Sequence, residues 1–156
     1  MAEILAVVGV VASILQIIDI GQKLVHRMRD FQSEQSSKIS QPIETELRTL
    51  LPLLEKTKVA VQDGNITAEG RHALLPILDD CERQIKLLNE IENRLPQPGD
   101  AWSSKASKAI LNLRKDAKVA KIKAILHGHA QTLQLYHILA SSTRQEAKGI
   151  TVRFQA

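Results

Sequence analysis

The chain has 156 residues, 44% hydrophobic and 24% charged, with a formal net charge of +4. That length fits one domain around one core, and the composition excludes a disordered polymer. Aromatic residues make up only 3% of the chain, so the core must be aliphatic, which suits helix-on-helix packing better than a β-sandwich. Cys81 is the single cysteine. It excludes an intrachain disulfide, fits a reducing compartment, and reads as a small core residue in a helical pattern. The expected resting location is cytoplasmic.

The first helix is predicted over residues 2 to about 31. Ile4, Val7, Val8, Val11, Ile14, Leu15, Ile18, Val25 and Met28 recur at helical spacing, while Leu5, Val10, Ile17 and Leu24 add apolar surface on another side. A secretory signal is a poor match, because Glu3 stands where basic residues are expected. From Ile4 to Ile18 there are 15 uncharged residues, about 22 Å as a helix against about 30 Å of bilayer core. Two readings compete. An all-round apolar helix is ordinarily the central helix of a bundle, covered on every side. The same helix could instead leave the bundle for a membrane: Ala2, Ala6, Gly9, Ser13 and Gln16 form a small or polar stripe that permits close helix approach in lipid. Glu3 and Asp19 bracket the apolar run, and tilting or local thinning accommodates its short span. The candidate membrane-active residues are Glu3, Ile4, Leu5, Ala6, Val7, Val8, Gly9, Val10, Val11, Ser13, Ile14, Leu15, Ile17 and Ile18.

After a polar, Ser-rich stretch, a second helix is predicted from about 42 to 62, buried through Ile43, Leu47, Leu50, Leu51, Leu54 and Val61 and kinked at Pro52. Asp63-Gly64-Asn65 should stop it. Thr67 is a plausible N-cap for a third helix reaching about residue 94, with a second kink at Pro76 and a core face of Leu74, Ile77, Leu78, Ile85, Leu88 and Ile91. Leu95-Pro96-Gln97-Pro98-Gly99-Asp100 is a linker, followed by a short helix at about 102–113. Asp116 should cap a last long helix carrying Ala120, Ile122, Ile125, Leu126, Leu133, Leu135 and Tyr136, ended by Gly149. Residues 1–145 form the bundle, and 146–156 read as a tail or the start of a linker.

Chemistry-bearing motifs are few. No Gly-rich phosphate loop ends in Lys-Ser or Lys-Thr. His127-Gly128-His129 resembles a metal pair, but residues two apart do not share a helix face and no cluster completes a site. No enzyme, metal site or cofactor is expected. Lys105, Lys108, Arg114, Lys115, Lys118, Lys121 and Lys123 form a basic stretch broken only by Asp116. They are candidate contacts for anionic lipid head groups, against the plainer reading of a solvated helix face. Nucleic acid is not expected, since no aromatic side chains interleave with the lysines for base stacking.

Ala2-Glu3-Ile4, followed by Ile14-Leu15-Gln16-Ile17-Ile18-Asp19-Ile20-Gly21, resembles the opening of fungal HeLo-like domains. Leu50-Leu51-Pro52-Leu53-Leu54, Ala73-Leu74-Leu75-Pro76, Gln84-Ile85-Lys86-Leu87-Leu88 and Lys118-Val119-Ala120-Lys121-Ile122 are more similar to the SesA-type subgroup. That subgroup is found at the N-terminus of fungal NOD-like receptors carrying NACHT or other P-loop ATPase domains. The resemblance implies an all-α, HeLo-like four-helix bundle with one additional short helix. It also implies regulated cell death by self-association and insertion of the first helix into the plasma membrane on activation. The partners implied are the ATPase domain in cis or a receptor in trans, with anionic membrane lipids as a further one. The alternative is a non-lytic adaptor that relays receptor oligomerisation to a separate effector.

Overall fold

A computed structural model of the protein describes residues 2–32, 40–93 and 117–140, all but the turn at 63–67 helical, and the account below concerns these residues. The helices are α1 (Ala2–Gln32), α2 (Ser40–Gln62), α3 (Ala68–Asn93) and α4 (117–140). No strand occurs among the described residues. The expected short helix near 102–113, the cap at Asp116 and the stop at Gly149 lie outside them.

Local chemistry sets the α2–α3 junction. Gly64 takes φ +70°, the left-handed conformation that glycine adopts without a Cβ penalty. Its N–H bonds the Val61 carbonyl at 3.2 Å while Asn65 N–H bonds Ala60 at 3.0 Å, the paired bonds of a Schellman motif. Thr67 Oγ1 then accepts the Gly70 N–H at 3.1 Å and caps α3. Pro52 and Pro76 are exposed and lie within continuous helices, each removing one N–H donor from the helical ladder.

Contacts fix the topology. Arg29 of α1 approaches Glu44 at 3.5 Å, and Gly21 lies against Leu51, so α1 and α2 are antiparallel. Arg27 donates to Asn93 Oδ1 at 2.6 Å, and the start of α1 shares a groove with Ala68 and Arg71, so α1 and α3 are parallel. His127 pairs with Glu46 at 2.8 Å and His137 with Thr57 at 2.9 Å, so α4 runs parallel to α2. His129 on Asp80 and Tyr136 beside Gly70 make α4 antiparallel to α3. The result is an up-down-up-down four-helix bundle. Glu44 and Glu46 are two residues apart and so about 200° apart around α2; the first reaches α1 and the second α4. Thus α1 and α4 flank α2 on different sides.

The core is aliphatic as composition requires: Ile14, Ile17, Leu24, Leu47, Leu50, Leu54, Leu74, Leu78, Ile85 and Leu126 are fully buried. Cys81 belongs to it, and burial pushes its thiol up to about 12, which leaves no thiolate for nucleophilic chemistry at neutral pH. Two expected core residues of the last helix turn outward instead: Ala120 is exposed, and Leu135 is 56% exposed. The buried stripe of α4 is Ile122, Leu126, Ala130, Leu133 and His137, with Leu135 on the opposite face.

Three histidines hold α4. The Thr57 hydroxyl donates to the Leu53 carbonyl at 2.8 Å, so the buried His137 ring donates its Nε2–H to Thr57 Oγ1. Asp80 accepts from His129 at 2.6 Å and from Gln84 at 3.3 Å; the His129 bond is the main cause that holds the Asp80 carboxyl below its ordinary range, against desolvation that raises it. His127 and His129 thus serve two different helices, as their spacing requires.

Two predictions follow from this packing. A methyl at Gly70 would collide with the Tyr136 hydroxyl and lie 2.9 Å from Ile66 Cγ2. Gly70→Ala should lower stability by about 1–3 kcal/mol, and Tyr136→Phe should relieve part of that loss. Urea denaturation of the double-mutant cycle checks it, and strict additivity would refute the close approach. For Asp80, a depressed carboxyl contributes stability above its unfolded pKa and loses it as pH falls through the folded value. Asp80→Asn should cost about 1–2 kcal/mol at neutral pH, a difference that shrinks once the pH is taken below the ordinary value of 3.8.

Candidate membrane-active surface on the first helix

Among the described residues, α2 and α3 pack against one side of α1. Val10, Ile14, Ile17, Ile18, Leu24 and Met28 are buried on that side, and Gly21 allows Leu51 to approach closely. The outer side stays apolar for its first four turns: Ile4 is 68%, Leu5 70%, Val8 58% and Leu15 47% exposed. The same side then becomes polar at Asp19, Gln22, Lys23 and His26, all exposed. Lys23 and Asp19 form a surface pair at 3.0 Å that contributes little to stability.

This corrects the expectation of a helix covered on every side. Glu3–Arg29 is long and apolar enough to cross a membrane, yet only 28% of its most apolar 18-residue stretch is buried. A core helix of a soluble bundle passes the same length test but is mostly buried.

The structure divides the fourteen sequence-derived residues. Glu3, Ile4, Leu5, Ala6, Val8, Gly9 and Leu15 are exposed; Val7, Val11 and Ser13 are partly buried; Val10, Ile14, Ile17 and Ile18 are in the core. A side chain at Gly9 would enter open space, so the small-residue stripe is not filled by another helix at that point. Val7 packs against the core and, with Glu3, Ile4 and Val8, lines a shallow groove whose far wall is Ile66, Thr67, Ala68 and Arg71.

The described lysines of the basic stretch, Lys118, Lys121 and Lys123, do not line this surface. Lys118 and Lys121 line a groove with Gln84, Leu87, Glu90 and Ile91 near the C-terminal end of α3, whereas α1 begins beside the N-terminal end of α3. They therefore sit at the opposite end of the bundle. Lys123 is partly buried on another face, and Lys105, Lys108, Arg114 and Lys115 lie outside the described residues. Among the described residues no group of His, Cys, Asp or Glu is gathered for a metal ion.

What the described residues offer here is exposed apolar surface. Comparison with known families shows that the SesA family, described as the N-terminal domain on NACHT_NTPase and P-loop NTPases, matches residues 11–133. The chain belongs to that family, and SesA is a non-catalytic domain that sits beside such an NTPase domain. No curated protein and no solved structure matches the chain. The family match begins at Val11, after the most exposed turns of α1, so the argument for those turns rests on their own chemistry.

If the outer stripe is free of packing, charge there is tolerated by the fold. Val8→Glu and Gly9→Glu should change stability by no more than about 0.5 kcal/mol, with Gly9→Glu gaining from helix propensity. Ile14→Glu should cost more than about 4 kcal/mol through burial of an unpaired charge. Chemical denaturation separates the cases; a Gly9→Glu loss as large as that of Ile14→Glu would place the stripe inside the core.

Proposed function

We propose that the domain is the N-terminal effector of a NACHT-type or other P-loop NTPase receptor, of the fungal kind its sequence resembles. It executes regulated cell death by self-association and insertion of α1 into the plasma membrane. The observation that carries this reading is the exposed apolar outer stripe of α1, Ile4, Leu5, Val8 and Leu15, on a helix long enough to span a bilayer. Family membership supports the receptor context.

Energetics order the steps. Withdrawing the whole helix exposes six buried side chains, at about 1.5–3 kcal/mol each, which together match or exceed the stability of an ordinary domain. The helix therefore stays in the resting bundle. Clustering by the NTPase region raises the local concentration, so several outer stripes can meet one membrane patch before any core is opened. Lipid then replaces the apolar contacts that the bundle gives up.

The test is dye release from phosphatidylserine and from neutral vesicles by protein clustered through an artificial oligomerisation tag. The parent should release dye, and Val8→Glu and Gly9→Glu, folded by circular dichroism, should lose at least about tenfold in rate, as a charge entering the apolar core of a bilayer dictates. Absence of release from the folded, clustered parent would support instead an adaptor that relays oligomerisation through its helical surfaces.

A further inference from the structure

The fastenings of α1 are unevenly placed along it. In its C-terminal half Arg27 donates to Asn93 Oδ1 at 2.6 Å, and Arg29 approaches Glu44 at 3.5 Å. Glu44 is a buried carboxylate that also pairs with Arg48 at 2.8 Å, so pulling Arg29 away strips it of one of two cations. Leu24 and Met28 add buried contacts in the same half. Among the described residues, the side chains from Glu3 to Ile18 are held by apolar contact: Val10, Ile14, Ile17 and Ile18 are buried, and Val7 and Val11 pack against the core. Ile4, Leu5, Val8 and Leu15 already stand in water, so they lose no burial if this half moves. The two regimes meet at Gly21, where the absence of a Cβ leaves the backbone most free to bend.

We propose that α1 opens in two parts: residues 2–20 swing out of the bundle about Gly21, while the stretch from Lys23 to Arg29 stays fastened to α2 and α3. The functional meaning of this hinge rests on the membrane reading of α1, but the opening itself is a property of the bundle without lipid. Opening one half exposes four core side chains rather than six, and the half released is the one that carries the apolar run. The Asp19–Lys23 pair spans Gly21, but both partners are exposed and it offers little resistance to bending. The fastened half keeps the released one tethered, so the helix can return to its seat.

Native-state hydrogen exchange of the full chain, read by NMR in lipid-free buffer across sub-denaturing urea, tests it. Amides from Val10 to Ile18 should be protected on the order of a hundredfold less than those from Leu24 to Met28, the effect of keeping two core side chains buried. Their opening should carry its own urea dependence, smaller than that of global unfolding, because four buried side chains become exposed. Glu44→Gln should lower protection from Leu24 to Met28 by at least about tenfold. Protection from Val10 to Ile18 should not change in that variant, because Glu44 keeps both cations in the half-opened form. The parent measurement decides by itself if the variant does not fold. One protection level along α1 with a single urea dependence, urea-independent fraying of the first turns only, or an equal loss in both halves of the variant would each overturn the hinge. Dye release from the clustered protein judges the membrane reading separately. Release by a protein whose α1 opens as one unit would keep that reading and overturn the hinge, and two-part opening without release would do the reverse.

Discussion

A helix in a four-helix bundle is covered only where its neighbours and the shared core meet it, and the first half of α1 is apolar beyond that sector. The structure follows from this mismatch. α2 and α3 take the Val10–Ile14–Ile17 side, Gly21 lets Leu51 seat closely, and what remains of the apolar circumference faces outward. Below Asp19 the mismatch ends, and the helix is an ordinary amphipathic one, tied by Arg27 to Asn93 and by Arg29 to the buried Glu44. Charged residues thus fasten the C-terminal half of α1, while among the described residues its N-terminal half is held by apolar contact. That division leaves the exposed turns at the end least anchored by polar bonds.

The other helices were legible because their chemistry is local. Thr67 as a cap, Gly64 as the stop and the heptad-like spacing of Leu47, Leu50 and Leu54 are decided by near neighbours in sequence. The last helix was less so. Leu135 looked like core because it is leucine, but position decides: Ala130 and His137 continue the period of Ile122, Leu126 and Leu133, and Leu135 does not. A buried histidine is invisible without its partner, and Thr57, 80 residues away, supplies the hydrogen bond that makes burial affordable. The same holds for His127 and His129. Their spacing shows that they face different ways, but only the fold shows that Glu46 and Asp80 await them.

The exposed stripe was half legible. Periodicity revealed that α1 has too much apolar surface; it could not reveal whether the rest of the chain covers it. The expectation of full coverage assumed that a soluble domain hides its apolar surface wherever it can. Among the described residues that assumption fails at Ile4, Leu5 and Val8. Glu92 shows the opposite economy inside the same bundle: burial raises its carboxyl above the ordinary range, and Arg27 offsets this only in part. The bundle tolerates a desolvated acid near the far end of α1 while leaving aliphatic side chains in water at the near end.

Topology turns these local facts into a spatial arrangement. With an even number of antiparallel helices the chain finishes at the end where it began, so the apolar start of α1 and the apolar finish of α4 share an end without any contact having to specify it. The lysines at the start of α4 are carried to the other end by the same rule: from Lys121 to Ile138 the helix rises about 25 Å. Polarity along the bundle axis is therefore a product of helix count and of where each helix places its surplus. It gives the domain an aliphatic end and an end where Lys118 and Lys121 stand beside Glu90. A bundle of three or five helices with the same sequence elements would have set the two apolar patches at opposite ends.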